Sequence, residues 1–168
     1  ERWRESGSAT EFDQLKHLLS ELVFKNTESP LREYNFMLLG FVEMEKGQAL
    51  PTLQTFEAFL KEYPKSPEVP QVRKALAEGY LLLSKFNEAL GQYEATIKDF
   101  PNTTFAQEAT YRIGDVHFGR GDFNQAVKSY EAAIKQFPKQ ESVYPNADFN
   151  TAEARFWLKD YKKSLEDY

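Results

Sequence analysis

The chain has 168 residues, with 21 Lys and Arg against 26 Asp and Glu and a net charge of −5; this length suits one compact domain or a short repeat array, and the acid excess excludes a general nucleic-acid binder, which needs surplus surface cations. Fourteen Phe, nine Tyr and two Trp exclude a disordered acidic tail. The absence of cysteine excludes disulfides, thiolate metal sites and cysteine nucleophiles from this segment, and no apolar run approaches the roughly 20 residues that span a bilayer.

Residues 1–7 carry no periodic signature, and because the first residue is Glu1 the chain reads as a fragment with any targeting segment outside it. A Ser8-x-x-Glu11 capping box opens a helix over about Phe12 to Phe24, with Leu15, Leu19, Leu22 and Val23 along one face. Ser29-Pro30 places a capping hydroxyl before a proline at a first helical position; Leu39-Gly40 follows, then a turn at Lys46-Gly47 and a second helix through Phe56 and Leu60 to Tyr63-Pro64. The same order returns from Ser66-Pro67 through Leu76-Ala77, Tyr80, the Ser84-Lys85 turn, Phe86, Ala89, Tyr93 and Thr96 to Phe100-Pro101. A capping box from Thr104 to Gln107 opens the next copy, which passes Ile113-Gly114, His117, Gly121-Asp122, Phe123, Ala126, Tyr130 and Ala133 to Phe137-Pro138. Lys159-Asp160, Tyr161, Ser164 and Leu165 mark a final copy that stops at Tyr168, short of the full turn count of its siblings, so the natural chain is expected to continue.

The aromatic-proline pairs lie 37 residues apart, and no period-two alternation of useful length interrupts the helical pattern. The expectation is an all-α protein of helix hairpins. Its divisions are residues 1–28, the second half of a truncated unit with its N-terminal segment; complete units at 29–65, 66–101 and 102–138; and a truncated unit at 139–168.

A helix pair with Leu-Gly on the first helix, Ala and an aromatic four residues apart on the second, and a closing proline resembles the tetratricopeptide repeat (TPR). The third copy supplies Ile113-Gly114, His117, Ala126, Tyr130, Ala133 and Pro138, while the family's leading tryptophan is replaced by Phe36, Arg73, Thr110 and Asp148 in the four copies. The resemblance covers nearly the whole chain and implies a right-handed superhelical α-solenoid. The repeat is longer than the usual unit of about 34 residues, with additions after the proline at 65–69, 102–106 and 139–143. Links such as Tyr63-Pro64-Lys65-Ser66-Pro67 resemble those of bacterial cell-envelope TPR families, namely the outer-membrane lipoprotein of β-barrel assembly and the periplasmic Tol-Pal coordinator. That narrower resemblance implies a periplasmic or outer-membrane-associated protein; a cytoplasmic scaffold is the alternative.

No catalytic constellation emerges. His17 lies among Gln14, Lys16 and Ser20 as a surface residue, His117 occupies an aromatic packing place, and the two lack metal-ligand spacing. Gly114 to Gly119 lacks the Lys-Ser/Thr of a phosphate loop, and Asn102-Thr103-Thr104 reads as a helix start before a glycosylation sequon. No enzyme, cofactor or metal is expected. The resemblance implies that the first helices line a concave face, to which each unit contributes three places one turn apart. These read Met37, Lys74, Tyr111 and Phe149; then Phe41, Glu78, Asp115 and Glu153; then Met44, Leu81, Phe118 and Phe156. Three carboxylates at one place in successive units repel one another unless a cation balances them, and apolar shelves beside them suit a peptide carrying Lys or Arg between apolar anchors. The expected function is a non-catalytic interaction scaffold, an adaptor in an envelope complex; the alternative is a structural spacer that self-associates through its open ends.

Overall fold

The computed structural model describes residues 9–138, 144 and 146–167. Among these residues every regular element is an α-helix, nine in all: α1 (Ala9–Phe24), α2 (Arg32–Glu45), α3 (Ala49–Glu62), α4 (Val69–Leu82), α5 (Phe86–Asp99), α6 (Thr104–Gly119), α7 (Phe123–Gln136), α8 (Ala147–Trp157) and α9 (Tyr161–Asp167). The all-helical expectation holds. Ser8 of the expected capping box and the added residues 139–143 lie outside the described residues. The chain forms two compact units, residues 1–72 and 73–168, with the boundary inside α4.

Four turns share one geometry, and their sequences explain it. Gly47, Ser84, Gly121 and Lys159 each adopt a positive φ, between 56° and 82°. At each, two backbone N–H groups close the preceding helix; Gly121 N–H donates to the Phe118 carbonyl and Asp122 N–H to the His117 carbonyl, both at 2.9 Å. This is the left-handed helix closure that satisfies otherwise orphaned carbonyls and favours glycine, which two of the four positions lack.

Three helix starts differ from expectation. Ser29 and Ser66 do not place proline at the first helical position: their hydroxyls accept from the backbone two residues on, Leu31 N–H and Glu68 N–H, and the helices begin at Arg32 and Val69. Proline is held in the preceding turn, where its fixed φ serves and its missing N–H is not needed. The third cap is Thr103, whose hydroxyl accepts from Ala106 N–H at 3.2 Å, displacing the expected Thr104 by one residue.

In the first unit α2 packs between α1 and α3, burying Leu19, Val23, Phe36, Leu39, Leu53, Phe56 and Phe59. Phe36 meets Phe59 edge to face at 6.1 Å, and Arg32 ties the corner by donating to the Val23 carbonyl, the Tyr63 hydroxyl and Glu62. Glu43, only 5% exposed, accepts from Thr55 at 2.6 Å and faces the Lys16 ammonium at 3.2 Å, so its charge is both hydrogen-bonded and paired. In the second unit α6 packs on α5 and α7, α7 on α8, and α8 on α9. A side chain at Gly40 would overlap the Phe56 ring, and one at Gly114 the Tyr130 ring. The repeated glycine therefore lets a large aromatic seat against the first helix of its own hairpin.

Candidate functional site

The first unit holds three of the expected groove residues. Met37 is buried in the core, Phe41 packs edge to face on Phe56 at 5.2 Å, and Met44 is half-buried. Met37 and Phe41 contribute packing there.

The second unit holds the other nine. Asp115 and Phe118 on α6, Tyr130 on α7, and Phe149, Asn150 and Glu153 on α8 surround a pocket of about 360 Å³, with Gly119 at its rim. Four expected residues thus converge: Asp115, Phe118, Phe149 and Glu153. Spacing explains it, since Asp115 and Phe118 lie three residues apart on α6, and Phe149 and Glu153 four apart on α8. Tyr111 turns inward instead. It is buried, donates its hydroxyl to the Phe137 carbonyl at 2.8 Å, and stacks on Tyr144 at 5.2 Å. Phe156 is exposed beside the last turn, in edge contact with Trp157 and Tyr161, and Leu81 is half-buried at the end of α4.

The floor of the pocket is a polar network centred on Asp115. Its carboxylate accepts from the Tyr130 hydroxyl at 2.6 Å, the Tyr144 hydroxyl at 2.5 Å and Asn150 Nδ2 at 3.2 Å, while its second oxygen faces Arg112 Nη1 at 3.2 Å. Burial, reinforced by the neighbouring Asp115 charge, pushes both phenols well above the usual tyrosine range, so both remain donors. Arg112 extends the network. It lies 3.3 Å from Glu108 and 3.9 Å from Glu78, beneath the Tyr144 ring at 5.3 Å, and Lys74 approaches Glu108 at 2.8 Å. Burial works against the Arg112 charge, but Asp115 and the surrounding groups outweigh it and raise the pKa further. Burial raises the Glu78 pKa, opposed by Lys74 and Arg112.

At the middle place, therefore, one internal cation balances carboxylates of successive units: Arg112 serves both Glu78 and Asp115. The sequence carried a signal for it, since Arg112 and Asp115 form an i,i+3 pair. Tyr144 carried no such signal, because it lies in the aperiodic link after Pro138. Asn150 adjoins the expected Phe149 but faces the network through its amide.

Neither histidine joins this site: His17 is exposed 3.9 Å from Glu21, and His117 is half-buried in α6. Among the described residues no group of three His, Cys, Asp or Glu is placed to hold a metal ion, and no helix is long and apolar enough to cross a membrane.

Residues 36–168 match the model of the family YfiO, described as outer membrane lipoprotein, and the chain belongs to that family. Among solved structures, it superposes on a Podosopora anserina protein named as a kinesin light chain with nearly identical TPR-like repeats. The TM-score is 0.75 at 15% identity, over 99% of this chain and 86% of that one. MamA, residues 41 to the end, from Desulfovibrio magneticus RS-1 gives a TM-score of 0.73 at 15% identity, over 94% and 81% of the two chains. BtubC from P. vanneervenii gives 0.73 at 18% identity, over 94% and 70%. These likenesses place the fold in the TPR class of helical solenoids and carry nothing about partners. No curated protein sequence matches the chain.

Proposed function

We propose that this member of the YfiO outer membrane lipoprotein family is a non-catalytic scaffold that grips a peptide segment of a protein partner, as an adaptor in a bacterial envelope complex. The TPR fold supports a protein-interaction scaffold, and the family supports association with the envelope. The observation that carries the peptide reading is the pocket between α6, α7 and α8, where the aromatic walls Phe118 and Phe149 flank the carboxylates Asp115 and Glu153. Such walls accept an apolar side chain or the aliphatic stem of a lysine, and the Glu153 carboxylate favours a cationic tip, Asp115 being balanced internally by Arg112. The remaining expected contacts in this unit, Lys74, Glu78, Leu81 and Phe156, lie on the helices α4 and α8.

Random peptides displayed on phage and selected against the chain provide the test. Enriched sequences are expected to carry Lys or Arg between apolar residues. Phe149→Ser and Glu153→Lys leave the Tyr130–Asp115–Tyr144 bonds in place, and each is expected to weaken a selected peptide about tenfold. Unchanged affinity in both variants, with unchanged helical circular dichroism, refutes the site.

A further inference from the structure

A second surface of the 73–168 unit is chemically distinct from the pocket. Its three hairpin turns, at residues 83–85, 120–122 and 158–160, lie side by side along one edge. Arg120 Nη2 donates to Asn87 Oδ1 at 3.1 Å, tying the second turn to the start of α5, and the Phe123 ring stacks on Trp157 at 5.7 Å and 11°, tying the second hairpin to the third. At the opposite ends of the hairpins, the link aromatics Phe100 and Phe137 are half-buried. On the turn edge the apolar side chains stand outward: Leu82 is 79% exposed, Trp157 57% and Tyr161 56%.

Charge separates this edge from the rest of the chain. Lys85, Arg120, Lys159, Lys162 and Lys163 are all exposed there, against the carboxylates Glu88, Asp122, Asp160 and Glu166, an excess of one cation. Asp122 is engaged in capping α7, and Asp160 lies 3.2 Å from Lys163. A chain with a net charge of −5 thus carries a cationic excess beside the exposed Trp157 and Tyr161.

We infer that this turn edge rests on an anionic phospholipid surface. Tryptophan and tyrosine have an apolar body and a polar tip, which suits the headgroup boundary, and lysines close to an anionic bilayer each add attraction of a few-fold in binding. A second copy of the chain would present the same cationic edge in a two-fold contact and repel it. The anionic bilayer is complementary in both charge and polarity. Insertion is limited to side chains, so binding is reversible and depends on salt and on lipid charge.

Trp157 is its own reporter. In a Trp3→Phe background the chain is mixed with vesicles of phosphatidylethanolamine containing about one quarter phosphatidylglycerol, and separately with phosphatidylcholine vesicles. The expected result is a blue shift of Trp157 emission and co-flotation with the anionic vesicles alone. Lys162→Glu/Lys163→Glu is expected to weaken binding about tenfold or more, and Leu82→Glu, at a site too exposed to affect folding, to weaken it severalfold. Phe149→Ser, which impairs the peptide pocket, is expected to bind vesicles like the parent, so failure of one surface is distinguishable from failure of the other. Any of four results overturns the inference: no flotation with anionic vesicles; equal binding to phosphatidylcholine; a vesicle-independent blue shift that tracks dimerisation in light scattering; or a blue shift with soluble polyglutamate as large as that with vesicles, which would assign the edge to an acidic protein segment.

Discussion

Replacing Asp115 by alanine removes the acceptor shared by Tyr130, Tyr144 and Asn150 and one counter-charge of Arg112. The two phenols are buried, and each loses a short bond to a charged acceptor, a loss of about 1.5 kcal/mol apiece. Arg112 retains Glu108 and Glu78, and Asn150 borders a pocket that water can enter, so their losses are smaller. The expected destabilisation is about 3 kcal/mol, which lowers the melting temperature of a chain this size by roughly 6–12 °C. Thermal unfolding followed by far-ultraviolet circular dichroism reads the total, and hydrogen exchange locates it: faster exchange is expected in α6–α8 and not in α1–α3. Combined with Tyr144→Phe in a double-mutant cycle, the two sites should show a coupling of about 1 kcal/mol. A destabilisation under about 0.5 kcal/mol, or exchange accelerated equally in α1–α3, would refute the assignment of Asp115 as the organising acceptor.

Gly114→Ala places a methyl group in the Tyr130 ring and is expected to destabilise by about 1–3 kcal/mol in urea unfolding; a neutral effect would show that the ring can withdraw. Ser84→Gly and Lys159→Gly relieve a positive φ at residues other than glycine and should each stabilise by about 0.5 kcal/mol, the strain relieved exceeding the added freedom of the unfolded chain. Tyr130→Phe deletes a made bond and is expected to cost about 1–2 kcal/mol. Tyr93→Phe deletes a buried hydroxyl with no hydrogen-bond partner among the described residues, and is expected to be neutral or stabilising; equal losses in the two variants would contradict the difference in their surroundings. Glu78, whose folded pKa is raised above 4.5 chiefly by burial, is favoured in the native state when protonated. Ionising it therefore lowers stability as pH rises through and above that value, so Glu78→Gln should gain stability relative to the parent at pH 7 and lose that gain on acidification to about pH 4. A gain that persists at low pH would point to packing and not charge.

The hairpins were legible because their determinants are local and recur every 37 residues: the turn residues Gly47, Ser84 and Gly121, and the glycine-aromatic pair Gly114 and Tyr130. Helix starts are less legible. At Ser29, Ser66 and Thr103 the hydroxyl's geometry decided where the helix begins, and a one- or two-residue displacement leaves the sequence pattern unchanged. The convergence of Asp115, Phe118, Phe149 and Glu153 on one pocket followed from repeat spacing. The balance of charge beneath it did not, because Arg112 serves Glu78 and Asp115 in successive units and Tyr144 reaches back from an aperiodic link. Register alone also left Tyr111 and Met37 on the groove side, whereas each is turned inward by aromatic or core packing that a column of positions does not encode.

The two units show how one repeat framework holds different chemistry. Phe41 and Phe56 form an edge-to-face pair at 5.2 Å in the first unit; the corresponding places in the second are Asp115 and Tyr130, joined by a 2.6 Å hydrogen bond. The backbone relation is the same, since a glycine one residue before the first member, Gly40 or Gly114, lets the ring approach. An apolar pair closes the helix contact with no polar group left to satisfy. A carboxylate-phenol pair closes the same contact but leaves acceptor capacity on the carboxylate, which then recruits Tyr144, Asn150 and Arg112. The intermediate repeat, with Glu78 and Tyr93, stands between these cases: Glu78 lies 3.9 Å from Arg112, and the Tyr93 hydroxyl has no hydrogen-bond partner among the described residues. Polar capacity at this one place thus rises from Phe41 to Asp115, and the pocket forms where it is greatest, beside side chains from three helices.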